Sequence, residues 1–217
     1  MKNQNQNAFV FDTELRLIVL TGITARSLVE LRQALAKVPE SSIFFHTHQK
    51  HLAHNFQQST YPNDFSIWIS HTLREEALAE KLAAIDLRAF TTIRELREAI
   101  GQTIDDYQAG LSRSTYVCRQ EEAFRFCRSK NFILPTGIVA RDVPDFFAKL
   151  PQITNASLYF HFFEAPLRLK RRTSDFSRWL RDRCRDDLAR AIDELNPYIR
   201  TLDKLKQDII RLGANLQ

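Results

Sequence analysis

The sequence predicts a mainly α fold with short β segments (α+β being the neighbouring class). It is expected to be a tandem duplication: two similar modules, residues 1–110 and 111–217, about a pseudo-twofold axis. Three observations carry this expectation. Shifted by 115 positions, residues 8–46 lie over 123–161 without a gap, and 13 of the 39 pairs are identical, including Phe9/Phe124, Phe11/Phe126, Ser42/Ser157 and His46/His161. Self-similarity at a fixed offset is the signature of a repeated unit. Apolar residues late in each half recur at alternating spacings of three and four, the period of one helical face. Glycine is scarce at 5 residues while phenylalanine reaches 16, which argues against turn-dense β folds and for an aromatic core.

The elements follow in order. AFVF with RLIVLTG, and AFRF with NFILPTG, are aromatic and β-branched, and each is expected to form a short hairpin before the first helix. Ser27 to Glu30 has capping-box spacing, and Asp142 with Asp145 occupies the same place in the second half, so helices start there and end before Pro39 and near Pro151. Ser42–Phe56 is read as helix; Ser157–Arg168 stays open between helix and strand, with Pro166 ending or kinking it. Asp64 and Asp175 are read as N-caps of the DFSxW helices, and Leu73–Ile85 and Asp187–Leu195 as helical. Thr92 and Thr201 open the last helix of each half. Their stripes, Ile93, Leu96, Ile100, Ile104 and Tyr107 against Leu202, Leu205, Ile209, Leu212 and Leu216, are expected to form much of the contact between modules.

Composition is that of a globular chain, 44% hydrophobic and 26% charged, with a net charge of +5. The charge is uneven: residues 1–111 carry 11 basic and 13 acidic side chains, net −2, and residues 112–217 carry 20 and 13, net +7. The polar start MKNQNQN is unlike a secretory signal, and no run of 18 apolar residues is present to span a membrane. Cys118, Cys127 and Cys184 fit neither a disulfide framework nor a metal motif, so they read as free thiols of a cytoplasmic protein.

The series TGITAR, SSIFFHTH, PNDFSIWI, LAAID and TIRELREAI resembles an uncharacterised bacterial family of unknown function whose members carry one or two copies of a TGxxAR … SIxxH … NDFxxW module. The second half departs from the first, with FHFFEAPLRL in place of FHTHQKHLAH. The resemblance implies a bacterial cytoplasmic protein and supplies no activity.

Several residue groups have the types that carry chemistry. His48, His51 and His54, beside His46, would share one arc of a helix, where two imidazoles can hold a metal; no carboxylate in the segment completes a zinc set, and the favoured reading is a polar face. His46 with Asp64, and His161 with Asp175, are candidate acid–base pairs; the favoured reading makes each histidine a hydrogen-bonded core residue. Thr21, Gly22 and Arg26, and Thr136, Gly137 and Arg141, are candidate anion sites, against a tight turn in which glycine supplies a positive φ. Lys170, Arg171 and Arg172 lead to Arg178, Arg181 and Arg185, expected on one helix face, where nucleic-acid phosphates are a possible ligand, although aspartates interrupt the run. Dinucleotide, P-loop, nucleophile-elbow and CxxC signatures are absent. The expectation is a non-enzymatic interaction or regulatory protein with a protein partner or self-association, no cofactor and no membrane. The alternatives are an enzyme using the His-rich segment 46–54, metal-dependent or acid–base, and polyanion binding by the basic second half.

Overall fold

A computed structural model describes residues 8–49, 61–111, 116–164 and 173–214. Two strands, β1 (Phe9–Ala25) and β2 (Phe124–Ala140), are each 17 residues long and pair with one another. Thr21 lies beside Phe126, and Thr136 beside Phe11, so one strand descends as the other climbs and the sheet is antiparallel. The expected short hairpins are therefore corrected to one long strand in each half. In the first half Asp12-Thr-Glu14 offers neither glycine nor asparagine for a tight hairpin turn; in the second Asn131 is present, and pairing with the distant strand keeps the chain extended. The Thr-Gly motif kinks the strand without ending it, with Gly22 at φ +79° and Gly137 at φ +77°.

The helices follow their caps. Ser27 accepts from the Glu30 amide and starts α1 (Leu28–Lys37). α2 (Glu40–Phe44) widens into a π-helical turn, Phe45–Gln49. Asn63, and not Asp64, caps α3 (Asp64–Trp68), which runs into a second π turn, Ile69–Leu73. α4 (Glu76–Ala83) and α5 (Ile93–Ala109) follow, the latter with a complete Thr92–Glu95 capping box. After β2, Asp142 caps α6 (Val143–Lys149), and α7 (Asn155–Tyr159) widens into the π turn Phe160–Glu164. Ser174, and not Asp175, caps α8 (Asp175–Arg181); α9 (Asp186–Asp193) and α10 (Leu202–Ala214) complete the described chain.

The fold is thus a set of helices with one two-stranded antiparallel sheet, and this corrects the expected tandem duplication of two modules about a pseudo-twofold axis. Neither compact unit coincides with a half of the sequence: one comprises residues 1–16 with 131–217, the other residues 17–130. Each unit takes its share of the sheet from both strands.

In the 17–130 unit the core gathers Leu28, Leu31, Leu35, Ile43, Phe65, Phe124 and Phe126, all buried. In the other unit it gathers Phe9, Phe11, Phe146, Leu158, Phe176, Leu205 and Ile209. The terminal helices were expected to join the modules, and this too is corrected. α5 packs chiefly on α1, α2 and α4 of its own unit, and α10 on α6, α7 and α9 of its own. Of the second stripe only Leu205 and Ile209 are buried, and Leu216 lies outside the described residues. The last turn of α10 is held so close to Phe147 that a Cβ at Gly213 would overlap that ring.

Candidate functional site

Each half places one histidine in the second position of a π-helical turn, where the widened backbone turns its ring inward. His46 is 3% exposed and His161 4%. The Cys127 amide donates to His46 Nε2 at 2.9 Å, while His46 Nδ1 lies 2.8 Å from Asp64 Oδ2. The Asp12 amide donates to His161 Nε2 at 2.8 Å, while His161 Nδ1 lies 3.1 Å from Asp175 Oδ2. A backbone N–H only donates, so Nε2 must offer its lone pair and Nδ1 carries the proton given to the carboxylate. Both rings are thereby fixed as the neutral Nδ1–H tautomer.

Aromatic rings enclose each imidazole. His46 meets Phe65, Phe124 and Phe126, and His161 meets Phe9, Phe11 and Phe176, with centroids between 4.8 and 6.2 Å. Ser42 and Ser157 hydroxyls complete the attachment by donating at 2.6 Å to the carbonyls of Cys127 and Asp12. Each extended strand residue is therefore gripped through both its N–H and its C=O. The sequence singled out these histidines and aspartates, and the structure brings each pair together. The arrangement clamps backbone, and in each ring both nitrogens are engaged.

The other candidates fall out as follows. His48 is buried, stacked on Phe44 and bonded at Nδ1 to the Thr47 hydroxyl; His51 and His54 lie outside the described residues. Among the described residues no group of histidine, cysteine and carboxylates has a metal-holding arrangement. Thr21 and Thr136 accept from the amides of Ile23 and Ile138, so those amides are occupied, and the Gly22 and Gly137 kinks lie within strands. Arg26 donates from Nε to the Cys118 carbonyl. Cys118 itself is buried; burial, with the Glu122 charge adding, pushes its thiol up, and Arg26 works in the opposite direction. Lys170, Arg171 and Arg172 lie outside the described residues.

The expected face of Arg178, Arg181 and Arg185 is corrected, because α8 ends at Arg181 and the chain reverses through Cys184 at φ +56°. Arg185 instead precedes α9 and grips Asp187, holding that exposed carboxyl well below the usual range, while Arg181 pairs with Asp193.

One polar cluster escaped the sequence reading. Asn131 Nδ2 donates both to Glu14 Oε2 at 3.0 Å and to Glu164 Oε1 at 2.8 Å. Arg16 Nε sits 2.7 Å from Glu14, whose side chain is fully covered, and its guanidinium lies over the Tyr159 ring. The only available signal was Glu164 ending the aromatic run FHFF, where the first half has Gln49.

Among the described residues no helix is long and apolar enough to cross a membrane. A family model matches residues 6–213, described as a family of unknown function, DUF5752. The chain belongs to that family. No curated protein matches it. Among solved structures, the chain resembles the one titled "The structure of OrfY from Thermoproteus tenax", at 23% identity and a TM-score of 0.84, covering 97% of this chain and 95% of that one. This likeness establishes the fold and carries no activity with it.

Proposed function

We propose that this DUF5752 chain is a non-enzymatic protein-interaction or regulatory protein of the cytosol, receiving a protein partner or a second copy of itself along its sheet. One observation carries the reading. Of the 13 large hydrophobic side chains that stand exposed among the described residues, 9 lie on the two strands. In the unit of residues 1–16 and 131–217 they are Val10, Leu15, Phe132, Ile133, Leu134 and Val139; in the 17–130 unit they are Leu17, Ile18 and Leu20. Scattered apolar residues need no explanation, whereas a concentration on one element marks a surface with a use. The backbone N–H and C=O of Asp12 and Cys127 are taken by the clamps, so the exposed side chains, not a free strand edge, form the proposed docking surface. The acid–base alternative loses support because Nε2 of each buried histidine already accepts a main-chain hydrogen bond.

The test is a pair of surface variants, Leu15→Glu/Phe132→Glu and Ile18→Glu/Leu20→Glu. Capture of partners by the tagged chain and sedimentation of the purified chain are compared, with melting as the folding control. Loss of a captured protein or of self-association in a variant that melts like the parent supports the reading. Unchanged capture and sedimentation in both variants overturn it.

A further inference from the structure

We propose that the concavity lined by Gly137, Val139, Arg141, Lys149 and Gln152 is a binding site for a small phosphate monoester, a use independent of the sheet surface. The hollow measures about 1000 Å³ and lies wholly within the unit of residues 1–16 and 131–217. That is ample for a phosphorylated metabolite, since ligand pockets commonly span roughly 300–1,000 Å³.

Its walls combine two cations and an amide. Arg141 stands at the end of β2, Lys149 in the last turn of α6, and Gln152 in the short 3-10 turn that follows. No carboxylate belongs to the lining. The nearest acidic influence is Asp145, whose Oδ2 accepts from the Arg141 main-chain amide, with Asp142 beyond it as the helix cap. Neither the Arg141 guanidinium nor the Lys149 ammonium makes a hydrogen bond or ion pair among the described residues.

The contrast with the other TGxxAR motif is informative. There Arg26 uses its Nε on the Cys118 carbonyl, and the Cys118 amide bonds back to the Arg26 carbonyl, so the chain itself satisfies that arginine. Arg141 has no such partner and stands exposed beside a second cation. Two uncompensated cations on one hollow repel each other, and an oxyanion between them converts that repulsion into two attractions. A guanidinium supplies the planar fork that fits phosphate oxygens, an ammonium adds a point charge, and the Gln152 amide can donate to a remaining oxygen. Gly137 leaves the floor open: a Cβ there would meet nothing within 4 Å. Ile138 and Val139 also line the hollow and add apolar surface beside the charged head.

The experiment titrates the full chain with ribose 5-phosphate and, separately, with inorganic phosphate, by calorimetry and by amide shifts. Arg141→Gln and Lys149→Gln are compared with the parent, and Arg26→Gln serves as the control arginine. The expected result is saturable one-to-one binding of ribose 5-phosphate, with shifts at residues 137–152. Each pocket variant should weaken it tenfold or more, while Arg26→Gln changes it less than twofold and all melt alike. Inorganic phosphate binding equally well places recognition in the phosphate group alone; weaker binding adds a contribution from the organic body, and both outcomes uphold the site. No saturable binding of either probe, binding unmoved by both pocket variants, or binding seen only with a long polyanion such as RNA overturns it.

Discussion

The His46 and His161 clamps can be set side by side almost atom for atom, yet the ground beside them differs. Both fix an imidazole between a backbone amide and a carboxylate, and both use a serine on the adjacent carbonyl. Next to His46 the π turn ends in Gln49, which donates to the Ser129 hydroxyl at 3.1 Å, a neutral contact. Next to His161 it ends in Glu164, which shares Asn131 with Glu14, itself paired with Arg16. The clamps agree because they are made from main-chain groups and rings that any chain with this residue spacing presents. The neighbouring networks differ because each depends on single side chains. Shared geometry thus identifies what holds the strands, and the divergent, charged corner is where the two regions have been given different chemistry.

The largest expected effect tests whether the clamps rest on equal foundations. Phe11→Ala and Phe126→Ala each empty a site that is 0% exposed, and each should cost about 3–5 kcal/mol in urea unfolding. A difference beyond about 2 kcal/mol between them would break the equivalence. His46→Ala and His161→Ala come next. Each strands a part-buried amide and an aspartate, at about 1–3 kcal/mol, and should speed hydrogen exchange of the Cys127 or Asp12 amide specifically. Unaltered exchange at those two amides would refute the clamp.

The third effect sharpens the contrast. Asn131→Ala removes the donor between two carboxylates and should cost about 1–3 kcal/mol at neutral pH, whereas Gln49→Ala should cost under about 1 kcal/mol. Equal costs would leave the two corners alike. The smallest effect is kinetic. Burial pushes the Cys118 thiol up, so it stays neutral where an ordinary thiol begins to ionise. Alkylation should reach exposed Cys184 first and Cys118 last. The linked stability is present below the thiol's unfolded value and lost as pH rises through the folded one, on the alkaline side.

Much of the local structure was legible in the residues. Ser27, Thr92 and Asp142 each start a helix where a side-chain oxygen meets an orphan amide three residues on. The caps at 63 and 174 were misplaced by one residue because asparagine and serine compete with the adjacent aspartate for the same role. Strand pairing was invisible: a hairpin and a distant partner demand the same alternation of apolar residues, and only the absence of a turn residue near Asp12 argued against the hairpin. The meeting of each histidine with its aspartate was readable as a candidate. Its third partner, a strand amide 81 residues away for His46 and 149 away for His161, carries no side-chain signature. The hollow beside Arg141 combines a residue singled out in the sequence with Lys149 and Gln152, brought there by the helix and turn that follow.

The sharing of both strands between the compact units has a consequence for biosynthesis. The stretch from Phe9 to Arg16 belongs with residues beyond Asn131, so it leaves the ribosome well before anything it can settle against. At about 5–20 residues per second that interval lasts roughly 6–25 seconds, during which Phe9 and Phe11 remain bare. A gene cut at the middle would leave each fragment with a sticky, unmatched ribbon.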